Sequence, residues 1–149
     1  MATPTLFTRI LRRELPGRFV YEDDVCAAFL SIQPLRPGHV LVVPRAEVDH
    51  VIDLSDADYD AVCRVGRTVG RALHRAYGST KVGMMFAGLE VPHVHLHVVP
   101  IDSTGDLEFR RANTAATAEE LDAALVKVRE ALRELGPDVA AHVPAEPTS

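Results

Sequence analysis

Two long segments of the chain place their apolar residues about 3.6 positions apart, which is the period of an amphipathic helix. The longer segment follows Ser55, which can cap a helix start, and precedes Gly78, which suits a helix end. The second begins at Thr117, with Glu120 three residues later as its partner in a capping box. We therefore predict helices over residues 55–77 and 117–135, and a short one over 5–14.

Shorter apolar runs, rich in β-branched side chains, occupy most of the remaining chain and predict strands. The run that begins at His39 continues without a polar residue, which is typical of a central strand covered on both faces. Because strands outnumber helices and follow one another through short connections, we predict an α+β fold, an antiparallel sheet with helices on one face. The predicted strands span residues 19–21, 25–30, 39–43, 81–86 and 93–100.

The composition fits one soluble domain. The chain has 149 residues and a formal net charge of −5, and it lacks the basic stretch of a nucleic-acid-binding protein. No apolar run approaches the roughly 18 residues of a membrane span. Cys26 and Cys63 stand far apart, which favours buried free thiols over a disulfide or a metal site. We expect a cytoplasmic protein with neither a nucleic acid nor a membrane as its partner.

Three histidines, His93, His95 and His97, alternate with aliphatic residues in the last predicted strand. Alternate side chains of a strand share a face, so the imidazoles occupy one side and the aliphatic groups the other. The aliphatic side can pack against helices, whereas the histidine side calls for another explanation. The three interpretations are a solvated polar face, a metal site and a catalytic site.

A shared metal fits this spacing poorly. Same-face neighbours lie about 6.7 Å apart at Cα, and the outer two about 13 Å apart, whereas a histidine–zinc bond is only about 2.0–2.1 Å long. Two neighbouring histidines can share one metal but all three hardly can, and the spacing singles out no further ligand. A solvated face is disfavoured because three histidines in strict alternation seldom arise by chance.

Nucleophilic catalysis explains why more than one histidine is present. Neutral imidazole is a good nucleophile at pH 7 because its ordinary pKa lies near 6.5. It can attack phosphorus to form a phosphoramidate, provided that its other ring nitrogen donates to a fixed acceptor. A second imidazole beside it can hold a phosphate oxygen or move a proton to the leaving group.

The segment VPHVHLHVVP, residues 91–100, resembles the signature of the histidine triad (HIT) family of nucleotide hydrolases and transferases. Residues 19–54 resemble the family's N-terminal half in their YEDD turn, their PGH loop and their LVVP strand. Together the similarity covers roughly residues 5–101. It implies a five-stranded antiparallel sheet with a long crossover helix and a C-terminal helix, which agrees with the predicted α+β fold.

The resemblance also divides the chain and implies an assembly. Residues 3–112 correspond to a HIT catalytic domain and residues 113–136 to a C-terminal helix. Residues 137–149, rich in Pro and Ala, are predicted to be a disordered tail. Relatives usually pair into one continuous ten-stranded sheet, so the resemblance implies a homodimer.

Four histidines receive roles from the resemblance. His95, the middle member, corresponds to the nucleophile, and His97 and His93 correspond to groups that orient it and bind phosphate oxygens. His39, in the PGH loop, matches a fourth histidine beside the triad. The implied reaction takes place at an α-phosphate through a covalent histidine–nucleotide intermediate, and it needs no cofactor.

The nucleoside side of the site is implied by three further matches. Phe29 and Ile32 match positions that line the base pocket. Ser31 stands where relatives often carry an Asp that binds the ribose hydroxyls. A hydroxyl can still bond a sugar, but more weakly than an ionised acceptor does.

The loop before the triad departs from the family pattern. Leu89 stands where relatives have a Gln that commonly contacts the phosphate or the leaving group, and its side chain forms no hydrogen bond. Glu90 is expected near the phosphate, where a carboxylate would repel an anion or donate a proton if its pKa were raised. The backbone N–H groups near Glu90 and Val91 can still serve the phosphate.

Many relatives bind a structural zinc ion through two cysteines near the N-terminus, a histidine after the LVVP strand and the first triad histidine. Here Thr5, Thr8 and Glu47 stand at the first three positions, and only His93 remains. We therefore predict that this protein holds no metal.

The sequence thus predicts a nucleotide phosphoramidase, a dinucleoside polyphosphate hydrolase or a nucleotidyl transferase acting on purine nucleotides. The main alternative is a HIT-fold protein that binds purine mononucleotides with little or no turnover. The intact triad favours the enzyme, and the divergent loop favours the alternative. A metal-dependent hydrolase is the third hypothesis.

Overall fold

The centre of the molecule is a five-stranded antiparallel sheet with the strand order β1-β2-β3-β5-β4, in a computed structural model that describes residues 3–146. The observed sheet agrees in number and type of strands with the predicted α+β fold. Its strands are β1 Phe19–Glu22, β2 Cys26–Leu30, β3 Val40–Pro44, β4 Lys81–Phe86 and β5 Leu96–Ile101.

The two long helices begin and end within two residues of the predicted bounds, whereas the short N-terminal helix ends at Leu11 and not at residue 14. The Ser55 hydroxyl accepts from the Asp58 N–H at 3.2 Å, and Gly78 ends the helix in the left-handed conformation with φ 60°. At Thr117 and Glu120 both bonds of the capping box are present. The helices are α1 Leu6–Leu11, α2 Asp56–Tyr77, α3 Ala118–Arg133 and α4 Pro137–Ala140, with 3-10 turns at Val51–Asp53, Thr104–Leu107 and Phe109–Arg111.

The helices pack on both faces of the sheet, so the prediction of helices on one face was wrong. Helices α2 and α3 bury their apolar stripes against one face. Helix α1 covers part of the other face, where Phe7 packs with Phe29, Leu41 and Val43. The sequence predicted this helix, but its apolar pattern does not tell which face of the sheet it covers.

Strand β3 is central and all five of its residues are buried, as the uninterrupted apolar run predicted. Because side chains alternate across a strand, Val40 and Val42 face α2 while Leu41 and Val43 face α1. His97 of β5 lies opposite Leu41 in the antiparallel register. The histidine side of β5 therefore belongs to the face that carries α1.

Strand β5 begins at Leu96, three residues later than predicted. The His93 N–H donates to the Val91 carbonyl at 2.8 Å, and the Val94 N–H donates to the Val48 carbonyl at 2.7 Å. These bonds fold residues 93–95 against the loop after β3 instead of into the sheet ladder. Two of the three triad histidines thus precede the strand.

The C-terminal segment is ordered over its described part, which corrects the prediction of a disordered tail over residues 137–149. The Glu22 N–H of β1 donates to the His142 carbonyl at 2.9 Å, and His142 Nδ1 donates to the Glu22 carbonyl at 3.0 Å. Val143 is only 9% exposed in the core beside α3. Residues 147–149, at the end of the predicted tail, lie outside the described part of the chain.

Cys26 is buried, Cys63 is partly buried, and both are free thiols as expected. Burial raises the pKa of Cys26 to about 12, so this thiol is unreactive at neutral pH. Within residues 3–146, no helix combines the length and the apolar character needed to cross a bilayer.

Candidate active site

The fold brings four histidines together on the α1 face of the sheet. His93 and His95 lie in the turn before β5, His97 lies in β5, and His39 directly precedes β3. The ring centroids of His95 and His97 are 5.0 Å apart, and those of His97 and His39 are 5.1 Å apart. The predicted triad and its fourth member therefore form one cluster.

The ring of His95 is held with one nitrogen free. Its Nδ1 lies 2.7 Å from the main-chain carbonyl of His93, and a carbonyl can only accept, so Nδ1 carries the proton and donates it. In the neutral ring, the lone pair is then on Nε2. His95 also borders the cavities described below, which gives this lone pair a place to meet a ligand.

In His97 the available ring nitrogen carries a proton instead of a lone pair. The Leu35 N–H donates to His39 Nδ1 at 3.0 Å, which places the proton of the neutral His39 ring on Nε2. His39 Nε2 lies 2.9 Å from His97 Nδ1 and donates to it. His97 consequently carries its proton on Nε2, where it can donate to a ligand. The pair thus sets a free lone pair on His95 beside a free N–H on His97.

Burial keeps these imidazoles neutral. It lowers the pKa of His39 to about 3 and the pKa of His97 to about 4, in both cases with a further contribution from neighbouring histidines. The pKa of His95 is also lowered, chiefly by burial, although its bond to the His93 carbonyl and the nearby Glu90 act in the other direction. At neutral pH the site therefore holds neutral imidazoles, with a lone pair on one available nitrogen and a proton on another.

His93 is fully buried, and this corrects the expectation that it binds phosphate oxygens. Its Nε2 donates to the Pro44 carbonyl at 2.8 Å, and its Nδ1 accepts from the Thr5 hydroxyl at 2.8 Å. Both ring nitrogens are therefore occupied. His93 acts on the site through its main-chain carbonyl, which orients His95.

Phe7 is a site residue that sequence reasoning missed. Its ring packs edge-on against His95 at 4.9 Å, against His93 at 5.9 Å and against Phe29 at 5.5 Å between centroids. Phe109 was missed as well, and its half-exposed ring lies 5.0 Å from His97. Neither stands in a motif. Phe7 reaches the site from α1, and Phe109 reaches it from the 3-10 turn that follows β5.

An apolar cleft of about 460 Å³ lies beside the histidines, next to α1. It contains the predicted base-pocket residues Phe29 and Ile32, and Ser31 lies between them. Glu90 and Val91 also line it, and Glu90 is shared with a smaller cavity that His95 borders. This volume and lining suit a flat heteroaromatic ring.

Two further cavities meet at His95. One, of about 320 Å³, is lined among others by Asp49, His50 and Leu89, and a smaller one, of about 90 Å³, lies between Glu90 and Phe109. The Leu89 side chain is 95% exposed. Among the described residues that line these two cavities, none is a lysine or an arginine, whereas two carboxylates are present.

The residues at the expected zinc position are bonded to one another. The Thr8 hydroxyl and the Thr5 N–H each donate to Glu47 Oε1 at 2.7 Å, and the Thr5 hydroxyl donates to His93 Nδ1. Two neutral hydroxyls, one carboxylate and one imidazole do not match the sulfur and nitrogen donors that zinc prefers. Among residues 3–146, no three His, Cys, Asp or Glu side chains are arranged to hold a metal.

The sequence of this chain is similar to those of known proteins. A model of the HIT domain matches residues 12–104. An uncharacterized HIT-like protein of Borreliella burgdorferi is 36% identical over 115 residues, which are 72% of this chain and 83% of that protein. The purine nucleoside phosphoramidase of Escherichia coli K12 is 34% identical over 106 residues, or 66% of this chain and 88% of that enzyme.

Solved structures show the same fold. A HIT-like protein involved in cell-cycle regulation from Bartonella henselae superposes with a TM-score of 0.77 at 27% identity, covering 89% of this chain and 100% of that one. A zinc-bound histidine triad protein from Mycobacterium smegmatis gives a TM-score of 0.75 at 26% identity, covering 87% of this chain and 94% of that one.

Proposed function

The chain belongs to the HIT-domain family, and we propose that it is a purine nucleotide phosphoramidase that uses His95 as its nucleophile. The observation that carries this proposal is the pairing of hydrogen bonds in the cluster. One bond leaves a lone pair on His95 Nε2, and a separate relay leaves a proton on His97 Nε2. The apolar cleft beside them supports binding of the base.

In the first step, His95 Nε2 attacks the α-phosphorus and the phosphorus–nitrogen bond to the leaving amine breaks. The departing amine takes up a proton from water. The new bond makes the imidazole formally cationic, and the His93 carbonyl that accepts from Nδ1 stabilises this charge. Because its pKa is about 4, His97 stays neutral and acts by donating a hydrogen bond to a phosphoryl oxygen.

In the second step, water attacks the phosphorus and the bond to His95 breaks. The nucleoside monophosphate leaves, the imidazole returns to its neutral state, and the proton consumed in the first step is released. The buried, neutral surroundings that keep His95 unprotonated make the free imidazole available for the next turnover.

The charges around His95 favour an amine over a polyphosphate as the leaving group. Asp49 borders the larger of the two cavities beside His95, and Glu90 stands between the smaller one and the apolar cleft. No described lysine or arginine lines the two cavities. Arg36, the cation of the PGH loop, is held by Asp102 and Asp106. A departing polyphosphate would face the carboxylates of Asp49 and Glu90 without a compensating cation in the described lining. A departing amine is neutral once it has taken one proton from water, and the carboxylates stabilise the ammonium ion that it forms on taking a second proton from water.

We further propose that the protein forms a homodimer through strand β4. The outer edge of β1 is covered, because its Glu22 backbone is bonded to His142 and the Phe19 carbonyl accepts from Arg129. Strand β4 is the other edge of the sheet, and it carries an exposed Met84. An edge strand of this kind can pair with a second copy and extend the sheet.

Steady-state kinetics with an adenosine 5′-phosphoramidate test the role of His95. We expect His95→Asn to lower kcat by on the order of 10³-fold or more, as loss of a nucleophile does in other enzymes. His74→Asn, which changes an exposed histidine of α2, is the matched control and should retain full activity. Equal rates for His95→Asn and the unsubstituted protein would refute the proposal. Nucleotide binding without turnover in the unsubstituted protein would instead support the binding-protein alternative.

A further inference from the structure

A continuous set of hydrogen bonds leads from an exposed loop to the nucleophile. Glu47, in the loop after β3, accepts from the Thr5 N–H and from the Thr8 hydroxyl. The Thr5 hydroxyl donates to His93 Nδ1, and the His93 carbonyl accepts from His95 Nδ1. Each of these contacts measures 2.7–2.8 Å.

The direction of each hydrogen bond follows from which of the neighbouring groups can donate a proton and which can only accept one. The Thr8 hydroxyl uses its one proton on Glu47, so Thr8 cannot donate to His93 as well. The Thr5 hydroxyl lies 2.8 Å from His93 Nδ1 and 3.1 Å from Thr8 Oγ1, so the shorter contact takes its proton. His93 is then fixed in the tautomer that donates from Nε2 to the Pro44 carbonyl.

The same bonds attach helix α1 to the turn that carries the triad. Thr5 is the N-cap of α1, since its hydroxyl also accepts from the Thr8 N–H. The next turn of this helix places Phe7 against the rings of His93 and His95. A displacement of His93 would move both the carbonyl that orients the nucleophile and the aromatic wall beside it.

We propose that Thr5, Thr8 and Glu47 are positioning residues that hold His93, and through its carbonyl His95, by hydrogen bonds where many relatives use a metal ion. Their donor set does not fit zinc, and their polar groups are already satisfied by one another. The inference rests on the proposed function for its kinetic effect, but the anchoring of His93 itself is a structural claim. We call these residues and His93 the hydroxyl anchor.

Substitution of Thr5 tests the donor to His93 together with the N-cap of α1. Thr5→Val removes the donor to His93, and we expect kcat to fall about 10- to 100-fold with KM changed less than about twofold, because small displacements of a nucleophile are costly. Thr5→Ser keeps the hydroxyl and should restore kcat. Thr117→Val removes the N-cap of α3 on the other face and should lower stability without changing kcat.

Glu47 offers a second comparison that avoids the cap. Both of its bonds use Oε1, so the amide oxygen of Glu47→Gln can replace it, whereas Glu47→Ala leaves both donors without that acceptor. We expect near-normal kcat for Glu47→Gln and a reduced kcat for Glu47→Ala. Equal kcat for all Thr5 and Glu47 variants would overturn the proposal.

Nitrogen-15 spectra of the histidine rings provide a readout that does not depend on turnover. In the unsubstituted protein, His93 should show a single tautomer, protonated at Nε2, and Thr5→Val should change the Nδ1 signal. An unchanged His93 spectrum in Thr5→Val would refute the anchor even if the protein had no phosphoramidase activity. Stoichiometric zinc in the purified protein would refute it as well. If His95→Asn lost activity and the Thr5 and Glu47 variants kept it, the proposed function would stand and the hydroxyl anchor would be refuted.

Discussion

At the scale of single residues, the position of protons explains more than the identity of the side chains. His95 and His97 are chemically alike, yet one is left with a lone pair and the other with an N–H. The difference comes from their partners, which are a carbonyl for His95 and a donating imidazole for His97. The sequence identified both residues, and the family resemblance placed His39 beside them. It gave no information about the bond from the Leu35 N–H that sets the tautomer of His39, because this is a tertiary contact.

The charge of Asp49 provides a test of leaving-group preference. We compare two adenosine phosphoramidates whose leaving amines carry a charged substituent. We expect Asp49→Lys to lower kcat/KM for the substrate with an ammonium substituent and to raise kcat/KM for the substrate with a carboxylate substituent. The ratio should shift by about fivefold or more, since one exposed charge contributes about 1 kcal/mol. Glu130→Lys, an exposed reversal on α3, is the control. An unchanged ratio for Asp49→Lys would contradict the proposal that the leaving group departs past Asp49.

At the scale of elements, the two long helices and four of the five strands were predicted closely, whereas the start of β5 and the C-terminal segment were not. Helices α2 and α3 have long apolar stripes and explicit caps, so their bounds differ from the predicted ones by at most two residues. The start of β5 was wrong because the bond from Val94 to the Val48 carbonyl is a tertiary contact. The tail was taken as disordered from its Pro and Ala content, although Val139 and Val143 have helical spacing and pack against the core.

Packing of the C-terminal segment is open to a stability measurement. Val143→Ala removes two buried methyl-sized groups, and we expect the free energy of unfolding to fall by about 1–2 kcal/mol. Val126→Ala on the outside of α3, where the side chain is 57% exposed, should change it by less than about 0.5 kcal/mol. Urea denaturation gives both values. Equal stabilities of the two variants would show that Val143 does not dock in solution.

At the scale of the whole molecule, burial of histidines makes folding depend on pH. The folded-state pKa values of His39 and His97 are about 3 and 4, below the ordinary value of 6.5 in an unfolded chain. Below pH 6.5 the unfolded chain therefore binds protons that the folded protein does not. This contribution to stability is complete above pH 6.5 and is lost as the pH falls towards 4.

We expect the free energy of unfolding to decrease between pH 6.5 and pH 4.5 by about 1.4 kcal/mol per pH unit for each buried histidine that becomes charged on unfolding. His39→Asn should reduce this slope by up to one such increment, whatever its effect on stability at pH 7. Denaturation curves at several pH values measure the slope. An identical slope in His39→Asn would mean that His39 is protonated in the folded protein.

The proposed dimer also belongs to the whole molecule. Light scattering should give the mass of two chains, and Met84→Lys should shift the equilibrium towards one chain by placing a charge at the β4 edge. Val126→Lys, on the outer side of α3, is the matched control. A single-chain mass for the unsubstituted protein would exclude pairing through β4.

The mass of the protein during turnover tests most directly whether His95 is the nucleophile. After rapid base-quenching of a reaction with an adenosine 5′-phosphoramidate, which preserves a phosphorus–nitrogen bond, we expect a transient gain of one adenylyl group. Peptide analysis should place it on His95, and the His95→Asn protein should show no gain. Undiminished turnover by the His95→Asn protein, or an adenylyl group on a residue other than His95, would contradict the central claim.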